Sequence, residues 1–421
     1  MYRPLKAARL NNSSQGQLLI NVTSRTGFFP ISNATVTVSD SSSPEIVLEQ
    51  LRTDDSGQTP RVSLPAPDFS YSMEPDQPRP YTDYNIEISA PGYEPVRIIG
   101  SELLPDRLSI QPVSMRSLEE AAGLEEDIPI PDHTLYEEYP PKIPEAEIKT
   151  EAETGEIVLG RVVIPEYIVV HDGVPSDASA PNYYVRYKDY IKNVASSEIY
   201  ATWPESTIYA NILAIQSFTL NRVYTEWYRN RGYPFTITSS TAYDQKFIYG
   251  RNIYSNIDRL VDSIFANYLS RPGIRQPIFT SYCDGKRVQC QGLSQWGSKT
   301  LGDRGYSAIE IIRYYYGNDM YINTAPAISG VPSSWPGYDL SIGATGTKVR
   351  QLQEQLNRIA RNFPAIPQVT ADGIYGSRTA DAVKVFQRIF DLPQSGITDY
   401  PTWYEISNIF VAVSRIAEPG T

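Results

Sequence analysis

Gly346-Thr347-Lys348-Val349-Arg350-Gln351-Leu352-Gln353-Glu354-Gln355-Leu356 sets Val349, Leu352 and Leu356 at i, i+3 and i+7, the spacing of one helical face. Asp372-Gly373-Ile374-Tyr375-Gly376-Ser377-Arg378-Thr379 then forms a turn that flows into a second helix, with Ala382, Val383, Phe386 and Gln387 on one face. Leu392-Pro393-Gln394-Ser395-Gly396-Ile397-Thr398 and Thr402-Trp403 complete the pattern. It predicts a small all-α module over residues 347–413. The turn needs its glycines for backbone reasons, so ligand binding is expected from exposed side chains beside it: Tyr375, Arg378 and Thr379.

Upstream, residues 324–346 are rich in Pro, Gly and Ser and read as a linker. Residues 157–323 read as a mixed α+β domain. A strand is expected at Ile157–Ile164, with helices over Asp189–Ile199, Glu205–Arg231, Ile253–Leu269 and Ser307–Tyr316, the last ending at Gly317. Pro204 suits the start of the long second helix. Residues 118–156 crowd glutamates and aspartates together with five prolines, Pro129, Pro131, Pro140, Pro141 and Pro144. Such a composition buries too little apolar surface to offset its ordering entropy, so an exposed linker open to proteolysis is expected. Residues 1–117 contain alternating runs, Gln17–Val22, Ala34–Ser39 and Tyr84–Ser89, separated by turn clusters such as Thr53-Asp54-Asp55-Ser56-Gly57. They predict an all-β sandwich.

The chain has 421 residues and a net charge of −11. Several domains are expected at that length. The acidic balance argues against nucleic acid and anionic membrane surfaces as partners. Met1–Gln17 carries Arg3, Lys6 and Arg9 without the apolar core of a signal peptide. Cys283 and Cys290 read as a local disulfide or as two free thiols. With His133 and His171 the only imidazoles, neither a metal nor a cofactor is expected.

The C-terminal module resembles the peptidoglycan-binding domain 1 family, in the run G-x-x-V-x-x-L-Q-x-x-L, then D-G-x-[FY]-G-x-x-T-x-x-A-V-x-x-F-Q, then G-x-x-x-x-x-T-W. The N-terminal run, with "PISNATVTV", "TDDSG" and "YNIEISAPGYEP", resembles the carboxypeptidase-regulatory-like sandwiches. The central stretches Tyr187-Lys188-Asp189-Tyr190-Ile191-Lys192-Asn193-Val194-Ala195-Ser196-Ser197-Glu198, Tyr282-Cys283-Asp284-Gly285, Gly292-Leu293-Ser294-Gln295-Trp296-Gly297 and Tyr314-Tyr315-Tyr316-Gly317 look like the stage II sporulation protein D (SpoIID) lytic transglycosylases. This chain departs from that pattern at Ile215-Gln216-Ser217-Phe218, where Ala-Arg-Thr-Tyr is usual, and at Val288-Gln289-Cys290, where a Gly-His-Gly triplet is usual. The order of parts is similar to the spore cortex-lytic enzymes of clostridia. That resemblance implies a zymogen stored in the spore, activated at germination by a Csp-type serine protease cutting in the acidic linker, and acting on cortex peptidoglycan.

Cutting a β-1,4 glycosidic bond requires an acid for the leaving oxygen. Hydrolases add a second carboxylate, whereas a lytic transglycosylase can use one carboxylate twice and leave a 1,6-anhydro sugar. Glu198 follows the small residues Ala195, Ser196 and Ser197 and precedes Trp203-Pro204. Burial beside Trp203 or Tyr200 is expected to raise its pKa. Trp203, Asp244, Gln245, Tyr282, Asp284, Ser294, Gln295 and Trp296 are the expected substrate-binding residues. The alternatives are a hydrolytic muramidase and a non-catalytic wall-binding protein with a degenerate enzyme fold.

Overall fold

The computed structural model describes residues 14–26, 28–119, 126–137, 139–149, 161–329 and 335–414. The N-terminal strands form two sheets. One runs Ile253–Tyr254, Leu108–Met115, Ser14–Ser24, Val62–Ala66; the other runs Ser43–Arg52, Thr35–Asp40, Thr82–Ser89, Val96–Leu103, Glu126–Pro129. Alternation drives this packing. Val36, Val38, Ile86 and Ile88 from one sheet meet Leu18, Ile20 and Val22 from the other in a buried core. The expected sandwich is therefore present, but it is closed by strands from outside the expected domain.

Two of its edges come from later sequence. Ile253–Tyr254 pairs antiparallel with Leu108–Met115, and Glu126–Pro129 pairs parallel with Val96–Leu103. The second edge corrects the expectation of an exposed linker over 118–156. Ile128 and Ile130 enter the sandwich core, His133 is fully buried, and residues 139–149 lie along the central domain. Composition reports only the apolar area within the segment itself. This segment is instead ordered by pairing with a surface already folded. Residues 120–125, 138 and 150–156 of the expected linker lie outside the described residues, as do 157–160 of the expected strand; Val163–Ile164 remains as a short strand paired with Ala327–Ile328.

The central domain is built on two buried helices, α1 (Tyr187–Glu198) and α2 (Glu205–Tyr224). Ile208, Ile212, Ile215 and Leu220 of α2 are buried, as its periodicity required. The helix stops seven residues short of the expected end, because Glu226 takes a left-handed backbone (φ 45°). Helix α3 (Ser255–Ile264) is shorter than expected at both ends, since the flanking residues are claimed by the strands Ile253–Tyr254 and Asn267–Ser270. Helices α4 (Gln295–Asp303) and α5 (Ala308–Tyr316) complete the domain, and Gly317 ends α5 at φ 100°. Gly297 at the start of α4 lets Tyr315 approach closely, since a Cβ there would fall 2.1 Å from the Tyr315 hydroxyl and force that side chain to move. Small two- and three-stranded sheets surround the helices.

The C-terminal module contains α6 (Thr347–Ile359), α7 (Ser377–Ile389) and α8 (Tyr400–Ser414). Its buried residues are continuous with the central core. It begins earlier than 347: Leu340 is buried and pairs with Thr398. Residues 330–334 of the expected linker lie outside the described residues.

The sandwich and the central domain share a buried ion pair, Glu102 with Arg251 at 2.7 Å, both side chains at most 1% exposed. Removing one partner strands the other charge in a dry interface. Glu102→Ala should therefore cost about 3–5 kcal/mol, read as a lowered melting temperature, whereas Glu102→Leu combined with Arg251→Met should recover most of it.

Candidate active site

Glu198 is the last residue of α1 and is 3% exposed. Its Oε1 accepts the Lys246 backbone N–H at 2.7 Å, and its Oε2 accepts the Gln295 side-chain amide at 3.2 Å. That amide also reaches the Glu198 carbonyl at 3.1 Å. The Tyr282 phenol faces the same carboxyl, outside good hydrogen-bond geometry. Burial raises the Glu198 pKa; the Lys142 ammonium, the Lys246 N–H and Gln295 act against that rise without cancelling it. The carboxyl is thus held in a fixed orientation and biased towards its protonated form, as a general acid requires.

Two of the expected residues, Gln295 and Tyr282, meet at Glu198. The others are placed differently. Trp203 is buried, donates its indole N–H to the Ser72 carbonyl at 2.8 Å, and packs on Trp296 with ring centroids 5.0 Å apart. It is a core residue at the contact with the sandwich, so neither it nor Trp296 presents an open ring to a sugar. Asp244 is fully buried and receives the Arg222 Nε at 2.7 Å, the Tyr228 hydroxyl at 2.6 Å and the Thr238 hydroxyl at 2.7 Å. Gln245 is held by Thr219 and Tyr190. Asp284 folds the loop that follows it, accepting the Lys286 and Val288 N–H groups at 3.0 and 2.9 Å. A disulfide between Cys283 and Cys290 closes that loop. Ser294 caps α4 by accepting the Gly297 N–H at 3.0 Å. These four side chains are committed to building the site.

The sequence reading missed the covering layer. Lys142 inserts its ammonium 4.5 Å from the Tyr282 ring centroid and donates to the Asp244 carbonyl. The Tyr139 hydroxyl accepts the Asp284 N–H at 2.8 Å. Both lie in the segment read as linker, and no motif marks them. Among the described residues, no group of three or more His, Cys, Asp or Glu is placed to hold a metal ion, and no helix is long and apolar enough to cross a membrane.

In the C-terminal module, two of the three expected ligand-binding residues are interior. Tyr375 is fully buried and donates to the Gly396 carbonyl at 2.9 Å; Thr379 is 2% exposed and accepts from Gln353 at 3.2 Å. Arg378 alone of the three is exposed. Two motif glutamines are structural hubs. Gln353 bridges the Asp372–Ile374 turn and accepts the Gly373 N–H at 2.8 Å; Gln387 does the same for the later turn, accepting the Gly396 N–H at 2.9 Å.

Residues 345–406 match the family described as "Putative peptidoglycan binding domain". The chain therefore carries a peptidoglycan-binding domain, which associates it with the cell wall. No curated protein sequence matches the chain significantly. Among solved structures, the chain is similar to the minor pilin GBS52 of Streptococcus agalactiae, with 13% identity over 25% of this chain and 46% of that one and a TM-score of 0.18. It is also similar to a "putative membrane-associated protein of unknown function" from Bacteroides fragilis, with 18% identity over 26% and 30% and a TM-score of 0.16. The chain spans less than half of either structure, and scores of that size attach neither fold nor function to it.

Two outcomes follow from the geometry. Glu198 has a folded-state pKa above its unfolded value, so its contribution to stability is full at low pH and is lost as pH rises through the raised value. Glu198→Gln should thus gain in melting temperature relative to the parent as pH increases, measured by calorimetry across the acidic to neutral range. In the module, Tyr375→Phe should cost about 1 kcal/mol of stability with binding to insoluble peptidoglycan intact, whereas Arg378→Ala should spare stability and weaken binding by about tenfold.

Proposed function

We propose that this protein is the zymogen of a spore cortex-lytic enzyme that cleaves the β-1,4 MurNAc–GlcNAc bond of peptidoglycan by a lytic transglycosylase mechanism. The observation that carries the reading is the buried Glu198 carboxyl, raised in pKa and oriented by Gln295 of the Gly-Leu-Ser-Gln-Trp-Gly run. In the proposed reaction Glu198 donates its proton to the glycosidic oxygen as the bond to the anomeric carbon breaks. The resulting carboxylate then takes the proton of the sugar's C6 hydroxyl as that oxygen closes on the anomeric carbon, giving a 1,6-anhydro product and restoring the acid.

A hydrolytic muramidase needs a second carboxylate free to act as nucleophile or base. Asp244 is paired with Arg222, Tyr228 and Thr238, and Asp284 is held by backbone N–H groups, which favours the single-carboxylate route. The peptidoglycan-binding domain supplies the wall association on which the reading depends. The spore setting and the Csp-type protease rest on the resemblance of the motifs and domain order.

Mass spectrometry of digested cortex tests this. Protein cut between the sandwich and the central domain should release fragments ending in anhydro-sugar, and the uncut chain should release few. Glu198→Gln should lower release by about 10²-fold or more while wall binding persists. Reducing ends in place of anhydro ends would make the enzyme a hydrolase, and no release from any form would leave a non-catalytic wall-binding protein.

A further inference from the structure

Residues 139–149 form a strap in which the inner side chains Lys142, Glu145, Glu147 and Lys149 face the central domain, while Ile143 and Ile148 point to solvent at 45% and 40% exposure. Beneath it lies a row of aromatic rings. Tyr282 and Phe279 flank Phe218 with centroids 6.3 and 4.4 Å away. Lys142 covers the Tyr282 end, beside Glu198, and Lys149 covers the far end, 3.7 Å from the Phe279 centroid and 4.5 Å from that of Trp227. Between them Glu145 takes both terminal nitrogens of Arg222, at 2.6 and 2.8 Å. Glu147 also pairs with Arg271 through two bonds, from Nε and one terminal nitrogen. Two backbone bonds tie the strap down, Ile143 N–H to the Ala242 carbonyl at 2.8 Å and Phe279 N–H to the Glu147 carbonyl at 2.9 Å.

Arg222 is unusual in being fully buried with one carboxylate, Asp244, from its own domain and a second from the strap. Lifting the strap leaves a guanidinium with its fork open, above a floor of aromatic faces that begins at the candidate acid. Flat rings stack on sugars, and an arginine fork matches a carboxylate. We propose that this floor is the glycan groove of the enzyme, that the strap occupies it in the uncut chain, and that Arg222, with Arg271, takes a carboxylate of a muramoyl-type glycan where Glu145 and Glu147 now sit. The inference rests on the glycan-cleaving reading above and deepens it. It assigns the inhibition to eleven residues rather than to the sandwich, and it requires the strap to leave before substrate enters.

The test is a binding measurement, so it does not depend on any bond being cut. The full chain carrying Glu198→Gln is compared with the same chain carrying Lys142→Ala, Glu145→Gln and Glu147→Gln as well. Hydrogen exchange of residues 276–282 is followed with and without a soluble GlcNAc–MurNAc oligosaccharide, which separates this groove from the C-terminal module. In the strap variant this segment should exchange faster. The free-acid oligosaccharide should restore its protection at a concentration about tenfold below that of the methyl ester, and the intact strap should abolish the effect. Adding Arg271→Gln, at a less buried site, should reduce the acid preference. Unchanged exchange in the strap variant, protection that is equal with the strap intact, or indifference to esterification would each overturn the proposal. A strap variant with Glu198 restored that binds in this way yet releases no fragments would instead count against the catalytic reading alone.

Discussion

Burial of one carboxyl at the end of α1 organises the centre of the molecule. A carboxyl taken out of water must be given donors or kept protonated, and Glu198 draws its donors from distant stretches: the Lys246 N–H from the loop after α2, and the Gln295 amide from the start of α4. The carboxyl is shut off from water because α1 and α2 bury apolar side chains such as Ile191, Val194, Ile212 and Phe218 in the core around it. Around this point Arg222 links Asp244 of the central domain to Glu145 of the strap, so the covering layer is held by the same kind of buried charge balance as the site below it.

The strongly periodic parts of the sequence were legible. Alternation in Thr35–Asp40 and Thr82–Ser89 gave the sandwich, and the i, i+3, i+7 spacing from Val349 gave α6. Glu198 could be singled out because its helix resembles the SpoIID pattern and small residues precede it, and the burial that raises its pKa comes from the whole domain. The strap was not legible. Its prolines and glutamates describe a segment unable to fold alone, which is compatible with one that is ordered entirely by its partner surface. Exposure was equally hidden. Tyr375, Thr379 and Trp203 sit beside turns, where a sequence reading expects surface, yet each is buried by a distant segment: the Gly396 carbonyl accepts from Tyr375, Gln353 of α6 donates to Thr379, and the Ser72 carbonyl accepts from Trp203.

The boundaries between the parts are also less sharp than composition implied. The sandwich takes two edge strands from beyond the C-terminal limit expected for it, and the pair Glu102–Arg251 lies in the contact. Separating the N-terminal region from the rest therefore exposes polar groups that are now buried against each other, including the Asn252 amide bonded to the Glu102 carbonyl at 2.9 Å. The uncut arrangement is stabilised by the same contacts that a cut alone would not break.

The C-terminal module is clasped from two sides. Asp391 receives Arg259 and Ser255 of the central domain, Glu405 pairs with Lys188, and Gln58 of the sandwich reaches the Ile389 carbonyl at 2.7 Å. Loss of the sandwich would remove only the last of these. On the proposed reading, the peptidoglycan-binding domain and the candidate acid would then travel as one body instead of two joined by a tether, and the distance between the point held and the bond reached would be a constant of the fold. On that reading the molecule would work like a caliper: its reach from the point held to the bond attacked would be set by its own dimensions and not by a linker's length.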